Sequence, residues 1–507
     1  MYALLLVFLL PTLAVPFVYF TGKKSPKAAA IIVALIALIN IGLVMSTVPD
    51  VLSRPDNRYI EEYHWIPVLN ASFTLFTDGM SASIAIISLI LIFAAALFSI
   101  NYMEGKKNLP AYYALLSLLS VGLVGVFITS NLLLFYFCWE LMLVPAYFIV
   151  GGWGYRESYR AAFKLFIFTH AGAVFVLLGI GGIFMATSGV TDMFQAATAL
   201  MNVAPDIVKW ILIAFTAGFA VKMAIVPLHM WLPDAHSEAP ATMSALLSGV
   251  IISAGAYAIL RLSLGTVLPS IMVNDPAFVG IFLHGLTIFG VISAFFGSLI
   301  ALVETDIKRI IAYSSIAHMG YVMFGLSLFP SSLSVAGTIA ITVALTGTVL
   351  HILNHAVSKG LFFLSAGAVM HQTEERDVQK MGGLAGKMPF TATSSIVAAL
   401  SIAGAPPFAC FISEFFIFVG AFEIISVDGF YLIPTGLMLI ATVLSLAYSL
   451  RFTSKVFLGQ PKGGEEKKVT DVHVYMKVAM AILVFMVIIL GIYPGFFTNL
   501  INTVHFG

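Results

Sequence analysis

Apolar segments of about 20 residues follow one another along almost the whole chain, and short polar connections separate them. A helix of roughly 20 apolar residues is long enough to cross the hydrocarbon core of a bilayer. The pattern therefore predicts an all-α polytopic membrane protein, with fourteen transmembrane helices in a single membrane domain over 1–507. The predicted spans lie near 2–21, 29–48, 79–101, 111–128, 131–152, 163–187, 207–228, 241–262, 277–302, 309–329, 335–369, 391–420, 431–454 and 475–499.

The composition agrees with a membrane protein and excludes several functions. Of the 507 residues, 60% are hydrophobic and only 10% are charged, whereas soluble chains carry about 25% charged residues. The net charge is +1, without a basic or acidic tail, which argues against a nucleic-acid partner. Cys138 and Cys410 lie in separate apolar segments, and the sequence contains no CxxC, GxGxxG or Walker A string. We therefore expect this chain to hold no cofactor and no metal.

The connections between spans differ in their content of basic residues. Most of the 25 Lys and Arg residues, Lys308 among them, fall in one set of connections. By contrast, Arg54, Arg58, Lys209 and Arg261 fall in the other set. The positive-inside rule then predicts that the first set faces the cytoplasm of a prokaryotic cell and that both termini face outwards. The basic cluster after the first span predicts a retained anchor, because a signal peptide carries its basic residues before the apolar run.

Two of the ionisable residues within spans lie close to a proline. Glu140 and Lys222 each stand five residues before one, Pro145 and Pro227 respectively. A charge near the bilayer centre costs about 2.5–3.5 kcal/mol even on lenient scales, so such residues face the protein interior. Proline frees a backbone carbonyl that protein or water must then satisfy. The pattern predicts a hydrated functional cavity; the alternative is a structural ion pair between neighbouring helices.

A row of titratable residues runs along the predicted span 335–369. His351, His355 and Lys359 recur every four residues, which places them on one helix face over about 12 Å. His318 in the preceding span adds another imidazole. Such groups can pass protons along a chain, although interhelical hydrogen bonding is the structural alternative. Since this span would be about 50 Å long as a helix, we expect it to tilt strongly or to break.

Glu414 follows a predicted break in the twelfth span. Gly404, Pro406 and Pro407 interrupt the helical pattern near the middle of that span, and Glu414 comes seven residues later.

The remaining histidines have weaker signals. We expect His170 and His284 to be satisfied packing residues. His229 and His236 fall in a predicted inner connection, where we expect them to be accessible from the cytoplasm.

Four strings resemble one family. They are WELMLVP (139–145), KMAIVPLHMWLPDAHSEAPATMSALLSG (222–249), DIKRIIAYSSIAHMGYV (306–322) and HAVSKGLFFLSAGAV (355–369). The chain resembles the antiporter-like proton-translocating subunits of complex I, whose superfamily includes the large chains of Mrp-type cation/proton antiporters and of membrane-bound hydrogenases. The resemblance implies fourteen helices with two inverted five-helix repeats and broken helices 7 and 12. The implied segments are 1–110 (helices 1–3), 111–262 (first repeat), 277–454 (second repeat) and 475–507 (last helix).

The resemblance also implies one proton path. Glu140 and Lys222 are implied to be the charge pair of the first half-channel, and Glu414 to be the terminal site. The implied members of the central relay are His318, His355 and Lys359, with His351 as a secondary member.

Four features bear on the type of chain. A glutamate at position 414 and the short C-terminus resemble the M-type (subunit 4-like) chain. Two residues depart from that pattern: Ser253 stands where a lysine is usual, and Lys359 is more typical of N-type, L-type and antiporter chains. Since Ser253 cannot titrate, a water or a hydroxyl is expected to bridge from the first half to the relay.

These observations predict a proton-translocating subunit of a redox-driven, complex I-like respiratory complex that uses NADH, F420H2 or ferredoxin. This chain is then a non-redox subunit of the translocase. Its implied partners are other antiporter-like and small membrane subunits, and a peripheral arm carrying iron–sulfur clusters with a flavin or a nickel–iron centre. The alternatives are a Na⁺/H⁺ antiporter-type subunit of an Mrp or hydrogenase-like complex, a solute symporter and an inert scaffold.

Overall fold

The computed structural model describes residues 2–69, 71–330, 339–460 and 469–504. Within these residues, twelve helices are long and apolar enough to cross a membrane. Two further crossings consist of two shorter helices each, which brings the total to the predicted fourteen. Residues 335–338 of the predicted eleventh span and residues 505–507 of the predicted last segment lie outside the described residues.

The elements of the first half precede residue 275. They are α1 (Ala3–Lys24), α2 (Pro26–Ser53), β1 (Tyr59–Ile66), β2 (Ala71–Thr77), α3 (Gly79–Tyr102), α4 (Leu109–Ile128), α5 (Leu132–Trp153), α6 (Ser158–Ala186), α7 (Met193–Ala199), α8 (Pro205–Met223), α9 (Leu232–Glu238) and α10 (Ala241–Asn274). Helix α10 contains two π-helical stretches, Leu247–Ile251 and Ile259–Val267.

The second half continues with eight helices. They are α11 (Pro276–Val303), α12 (Ile307–Ser327), α13 (Ile339–Thr373), α14 (Pro389–Ile402), α15 (Ala409–Ile424), α16 (Leu432–Phe457), α17 (Val474–Ile492) and α18 (Gly495–Ile501). Helix α13 has 35 residues and is about 52 Å long. The sequence predicted that this span would either tilt strongly or break; the helix is continuous, so it does not break.

The two predicted helix breaks are confirmed. Helix α8 ends at Met223, and the next residue, Ala224, has a left-handed backbone with φ of 58°. Helix α14 ends at Ile402, and Gly404 has φ of 68°. In both places the prolines that follow cannot donate a helical hydrogen bond, so the chain resumes as a helix only after them.

A two-stranded hairpin lies in the connection between α2 and α3, and the expectation of an all-α protein needs this one addition. Strands β1 and β2 pair antiparallel, from Tyr59 opposite Thr77 to Ile66 opposite Ala71. The hairpin leads into Asp78, whose carboxylate accepts a hydrogen bond from the Ser81 amide at 2.9 Å and so caps α3.

Two basic residues assigned to connections are in fact buried, which corrects their placement. Lys308 lies in the first turn of α12 and is fully buried, and its ammonium donates to the Ala239 carbonyl at 2.5 Å. Arg261 lies in the second π-helical stretch of α10 and pairs with Asp78 at 2.6 Å. Both cations keep a partner because burying an unpaired charge is costly.

One local motif recurs at opposite ends of the bundle. Asn131 caps α5 and forms a backbone bridge with Asp192, which precedes α7. Asp306 caps α12 and forms the corresponding bridge with Asp377. The recurrence supports the two inverted repeats over 111–262 and 277–454, which stay a prediction.

Candidate functional site

Glu140 lies on α5 and contacts a histidine. Its Oε2 atom is 3.2 Å from Nδ1 of His170 on α6, and the His170 ring stacks on Phe166. The Glu140 side chain is 24% exposed and that of His170 is 48% exposed. His170 is therefore a partner of this carboxylate, beyond the packing role expected from the sequence.

Lys222 occupies the last turn of α8, just before the helix break, and is buried. Its Nζ donates to the backbone carbonyl of Trp139 at 3.2 Å and lies 4.2 Å from the centroid of that indole ring. Among the described residues, Lys222 and Glu140 form no ion pair within 4.0 Å. In this structure the lysine meets the carbonyl dipole and the π-face of Trp139, the residue before Glu140, and forms no direct salt bridge with Glu140. The implied role of Glu140 and Lys222 as the charge pair of the first half-channel stays a prediction.

The break after Lys222 leaves carbonyls without helical partners. The carbonyl of Val221 accepts a hydrogen bond from Nε1 of Trp231 at 3.0 Å. Protein groups thus satisfy the freed backbone here, as a non-helical segment at membrane depth requires.

The row on α13 is fully buried and meets α12. His351, His355 and Lys359 have no exposed surface, and neither has His318. Nδ1 of His318 lies 3.1 Å from Nε2 of His351, and the two rings stack with an interplanar angle of 9°. The predicted clustering of His318 with the α13 row is present.

Lys359 and His355 have different surroundings within this row. The Lys359 ammonium donates to the Ile311 carbonyl at 3.3 Å and to the Ser314 hydroxyl. In the described part of the chain, neither ring nitrogen of His355 has a hydrogen-bond partner. Its nearest ring neighbour is His318, with centroids 5.7 Å apart. The lysine is thus held by neutral groups.

Glu414 on α15 completes the cluster. Its Oε1 atom is 4.0 Å from Nδ1 of His318. A Cβ atom at Gly404 would lie 2.5 Å from Oε2, so the break in the twelfth span provides the space for this carboxylate. The side chain also reaches a cavity of about 410 Å³ between α15 and α16, whose other lining residues are apolar except for Thr442.

Comparison with known proteins identifies the family. The model described as NADH:quinone oxidoreductase/Mrp antiporter, TM, matches residues 129–441, more than half of the chain. The chain belongs to this family. The match includes every residue singled out above, from the Glu140 region to Glu414.

Relatives of this oxidoreductase/antiporter family extend the match to nearly the whole length. The chain is 30% identical over 501 residues to NADH-quinone oxidoreductase subunit M of Rickettsia conorii, covering 97% of this chain and 96% of the relative. It is also 30% identical over 498 residues to F(420)H(2) dehydrogenase subunit M of Methanosarcina mazei, covering 97% and 94%. Both relatives are subunits M of oxidoreductase complexes, in agreement with the M-type resemblance.

A solved structure has the same fold. The membrane-bound sulfane sulfur reductase, an archaeal respiratory membrane complex, contains a chain that superposes with a TM-score of 0.83 at 26% identity. The superposition covers 97% of this chain and 76% of that chain. This antiporter-like chain is therefore an integral membrane protein whose relatives work in multi-subunit complexes.

Ser253 does not replace the usual lysine by contact with the cluster. Its hydroxyl donates to the Gly249 carbonyl at 2.9 Å, within α10. A different pair joins α10 to α12, because the hydroxyls of Ser248 and Ser315 are 2.8 Å apart. This contact links the two halves about one helical turn before Ser253, while the expected bridge from Lys222 to His318 stays a prediction.

His229 and His236 are buried, which corrects the expectation that they are accessible. His236 has no exposed surface, stacks on Phe363 at 4.6 Å between centroids and has no hydrogen-bond partner among the described residues. His229 is 6% exposed and packs edge-on against Phe296. The prolines around them resemble a loop in sequence, but the segment folds back into the bundle and continues as α9.

Proposed function

We propose that this chain is a proton-translocating membrane subunit of a redox-driven, complex I-like oxidoreductase in a prokaryotic cell membrane. The observation that carries the proposal is the buried cluster of His318, His351 and Glu414. Three helices bring these titratable groups within 4.0 Å of one another in a chain, inside a membrane domain. Burying ionisable groups within a membrane costs free energy, and such groups therefore typically belong to an ion or proton path.

The second half of the path begins at Lys359. Among the described residues, this ammonium donates only to a carbonyl and a hydroxyl, so it can release its proton without leaving a buried carboxylate unpaired. His355 lies between Lys359 and His318, and because no described residue hydrogen-bonds to either of its ring nitrogens, it is free to accept the proton. From His318 the proton reaches Glu414, at the wall of the cavity between α15 and α16.

The first half acts as a switch. Glu140 and His170 are partly exposed and take up the proton. Lys222 is buried at the helix break and contacts Trp139, the residue before Glu140. A rearrangement at the break brings Lys222 towards Glu140 or away from it. The Ser248–Ser315 hydroxyl pair and the buried His236 then connect α9 and α10 with the relay on α12 and α13.

The energy for translocation comes from partner subunits. This chain then works as a non-redox subunit, beside other antiporter-like and small membrane subunits. A peripheral arm with iron–sulfur clusters and a flavin or nickel–iron centre supplies the redox reaction. Both termini and the hairpin face outwards, while the end with the Arg376–Glu238 and Arg309–Asp234 ion pairs faces the cytoplasm.

A cation/proton antiporter-type subunit is the second candidate. The family model covers both oxidoreductase and antiporter chains. Glu414 also lies beside the backbone of a broken helix, an arrangement that coordinates ions in secondary transporters.

Donor-driven acidification of vesicles carrying the whole complex tests the proposal. Parent and Glu140→Gln complexes are compared at equal assembly, with a sodium ionophore present and with the exposed Glu157→Gln as the matched control. We expect Glu140→Gln to lose acidification and coupled electron transfer together, and Glu157→Gln to retain both. Unchanged pumping in Glu140→Gln would refute this path, and a selective loss of sodium flux would favour the antiporter.

A further inference from the structure

Three side chains of the cluster direct donor atoms at one point. One nitrogen each from His318 and His351 and one oxygen from Glu414 all lie within 4.8 Å of one another. The three residues come from α12, α13 and α15, so no sequence spacing reveals the group. The hydrogen bonds on the far side of each imidazole determine which nitrogen carries its proton.

For His351, the inner nitrogen has a free lone pair. Its Nδ1 lies 2.9 Å from the Ser413 hydroxyl, which itself donates to the Cys410 carbonyl at 2.9 Å. Since that hydroxyl proton is used, Ser413 accepts from His351. Nδ1 therefore carries the proton, and Nε2 presents its lone pair to His318.

The same reasoning applies to His318. Its Nε2 faces Ser445 at 3.4 Å and Tyr448 at 3.3 Å. Ser445 donates to the Ile402 carbonyl at 2.9 Å, and the Tyr448 hydroxyl lies 2.7 Å from Ser445, closer than its 3.3 Å to Nε2, so we assign the Tyr448 proton to Ser445. With both hydroxyl protons used, Nε2 of His318 donates and Nδ1 presents a lone pair. The two inner nitrogens thus lie 3.1 Å apart beside a carboxylate, a site that either a shared proton or a metal cation can occupy.

We propose that His318, His351 and Glu414 bind a divalent transition-metal ion, with Zn²⁺ as the best match. Two neutral imidazoles and one carboxylate are a ligand set that Zn²⁺ uses, with a fourth position open to water. Zinc bonds of about 2.0–2.2 Å place tetrahedral ligand atoms about 3.3 Å apart. The observed 3.1 and 4.0 Å are within a small side-chain adjustment of that spacing.

The surroundings of the cluster favour binding. Ser413 and the Ser445–Tyr448 pair hold the outer nitrogens, as outer-shell partners do at metal sites. Lys359, the buried cation on the same helix, lies two turns from His351, about 12 Å along the axis. Glu414 gives access, because it lines the cavity between α15 and α16.

Zn²⁺ in this position excludes the proton that the two imidazoles otherwise share. The ion is then an inhibitor of translocation, a consequence that rests on the proposed function. Binding itself does not rest on it, so the two can be measured separately.

Equilibrium dialysis of the purified whole complex against radioactive Zn²⁺ tests the binding. His318→Gln and His351→Gln complexes are expected to bind one Zn²⁺ fewer than the parent. His284→Gln is the matched control, because His284 also contacts a carboxylate, Asp428 at 2.7 Å, but has no third ligand among the residues that the structure describes. The control should bind as many ions as the parent. An unchanged zinc stoichiometry in both cluster variants would overturn the proposal.

A milder variant and a second readout guard against misfolding. Ser413→Ala keeps all three ligands and removes only the partner of Nδ1, so its zinc affinity should fall by about 10–100-fold. X-ray absorption at the zinc edge should detect imidazole nitrogens in the parent and fewer in His351→Gln; identical spectra contradict the site. If Zn²⁺ binds as expected yet leaves donor-driven acidification unchanged, the metal site stands and the proton-path assignment fails.

Discussion

The ammonium of Lys222 is held by Trp139 through a carbonyl at 3.2 Å and the face of the indole ring at 4.2 Å. Glu140, the next residue along α5, points instead to His170. Lys222 therefore contacts the residue next to Glu140 in the sequence without forming a direct salt bridge with Glu140. Trp139 becomes the group that determines how tightly the protonated lysine is held.

Replacing the indole tests this role. A cation over a desolvated aromatic face is stabilised by about 2 kcal/mol. Trp139→Leu should therefore weaken the hold on Lys222 and slow donor-driven proton pumping, whereas Trp139→Tyr keeps an aromatic face and should recover most of the rate. Acidification in vesicles at equal assembly gives the measurement. Equal rates for the Leu and Tyr variants would show that the ring face does not matter.

Lys359 offers a test that separates function from stability. Within the described part of the chain its ammonium donates only to Ile311 and Ser314, so Lys359→Met leaves no described carboxylate unpaired. The variant complex should assemble and unfold at no lower temperature than the parent. Its pumping should fall by about 10²-fold or more, as expected when a proton-transfer group is lost.

The matched control for this lysine is Lys455→Met, which alters an exposed lysine in the last turn of α16. It should pump at the parent rate. A Lys359→Met complex that pumps normally would remove this residue from the path.

Helix number and the two breaks could be predicted because each depends on local properties. Apolar length defines a span, and proline removes a hydrogen bond wherever it stands, so the interruptions around Pro227 and Pro407 were visible in the sequence. The row on α13 was predictable for the same reason, since helical periodicity places His351, His355 and Lys359 on one face.

Contacts between helices could not be predicted in this way. Nothing local distinguishes Glu140 facing Lys222 from Glu140 facing His170, because the choice depends on how α5 and α6 pack. His236 looks like a loop residue beside its prolines, yet the segment that contains it folds into the bundle. A proline-rich stretch directly after a broken span is the signal that could have indicated its burial.

We predict that the position of the Glu414 carboxylate requires a glycine at residue 404. A Cβ at this position would lie 2.5 Å from Oε2 of Glu414, and the backbone has φ of 68°. Gly404→Ala therefore displaces the carboxylate and strains the break. Pumping in vesicles should fall, while the electron-transfer reaction of the peripheral arm alone persists.

Gly436→Ala is the control for this glycine, because a Cβ there meets nothing within 4 Å and the residue lies inside α16. It should leave pumping unchanged. Parent-like pumping in Gly404→Ala would mean that Glu414 does not need its present position.

The buried pair of Asp78 and Arg261 should determine stability more than transport. Both side chains are at least 92% buried and lie 2.6 Å apart, at the end of the bundle with the hairpin. Asp78→Asn keeps the cap on α3 but leaves the guanidinium uncompensated, which typically costs about 3–5 kcal/mol. Thermal unfolding of the purified complex should therefore begin at a lower temperature for Asp78→Asn.

The control is Asp206→Asn, which alters a carboxylate that is 89% exposed and should unfold like the parent. Combining Asp78→Asn with Arg261→Met removes both charges and should restore part of the loss; if the double variant is no more stable than Asp78→Asn alone, the charge pair is not what stabilises this end.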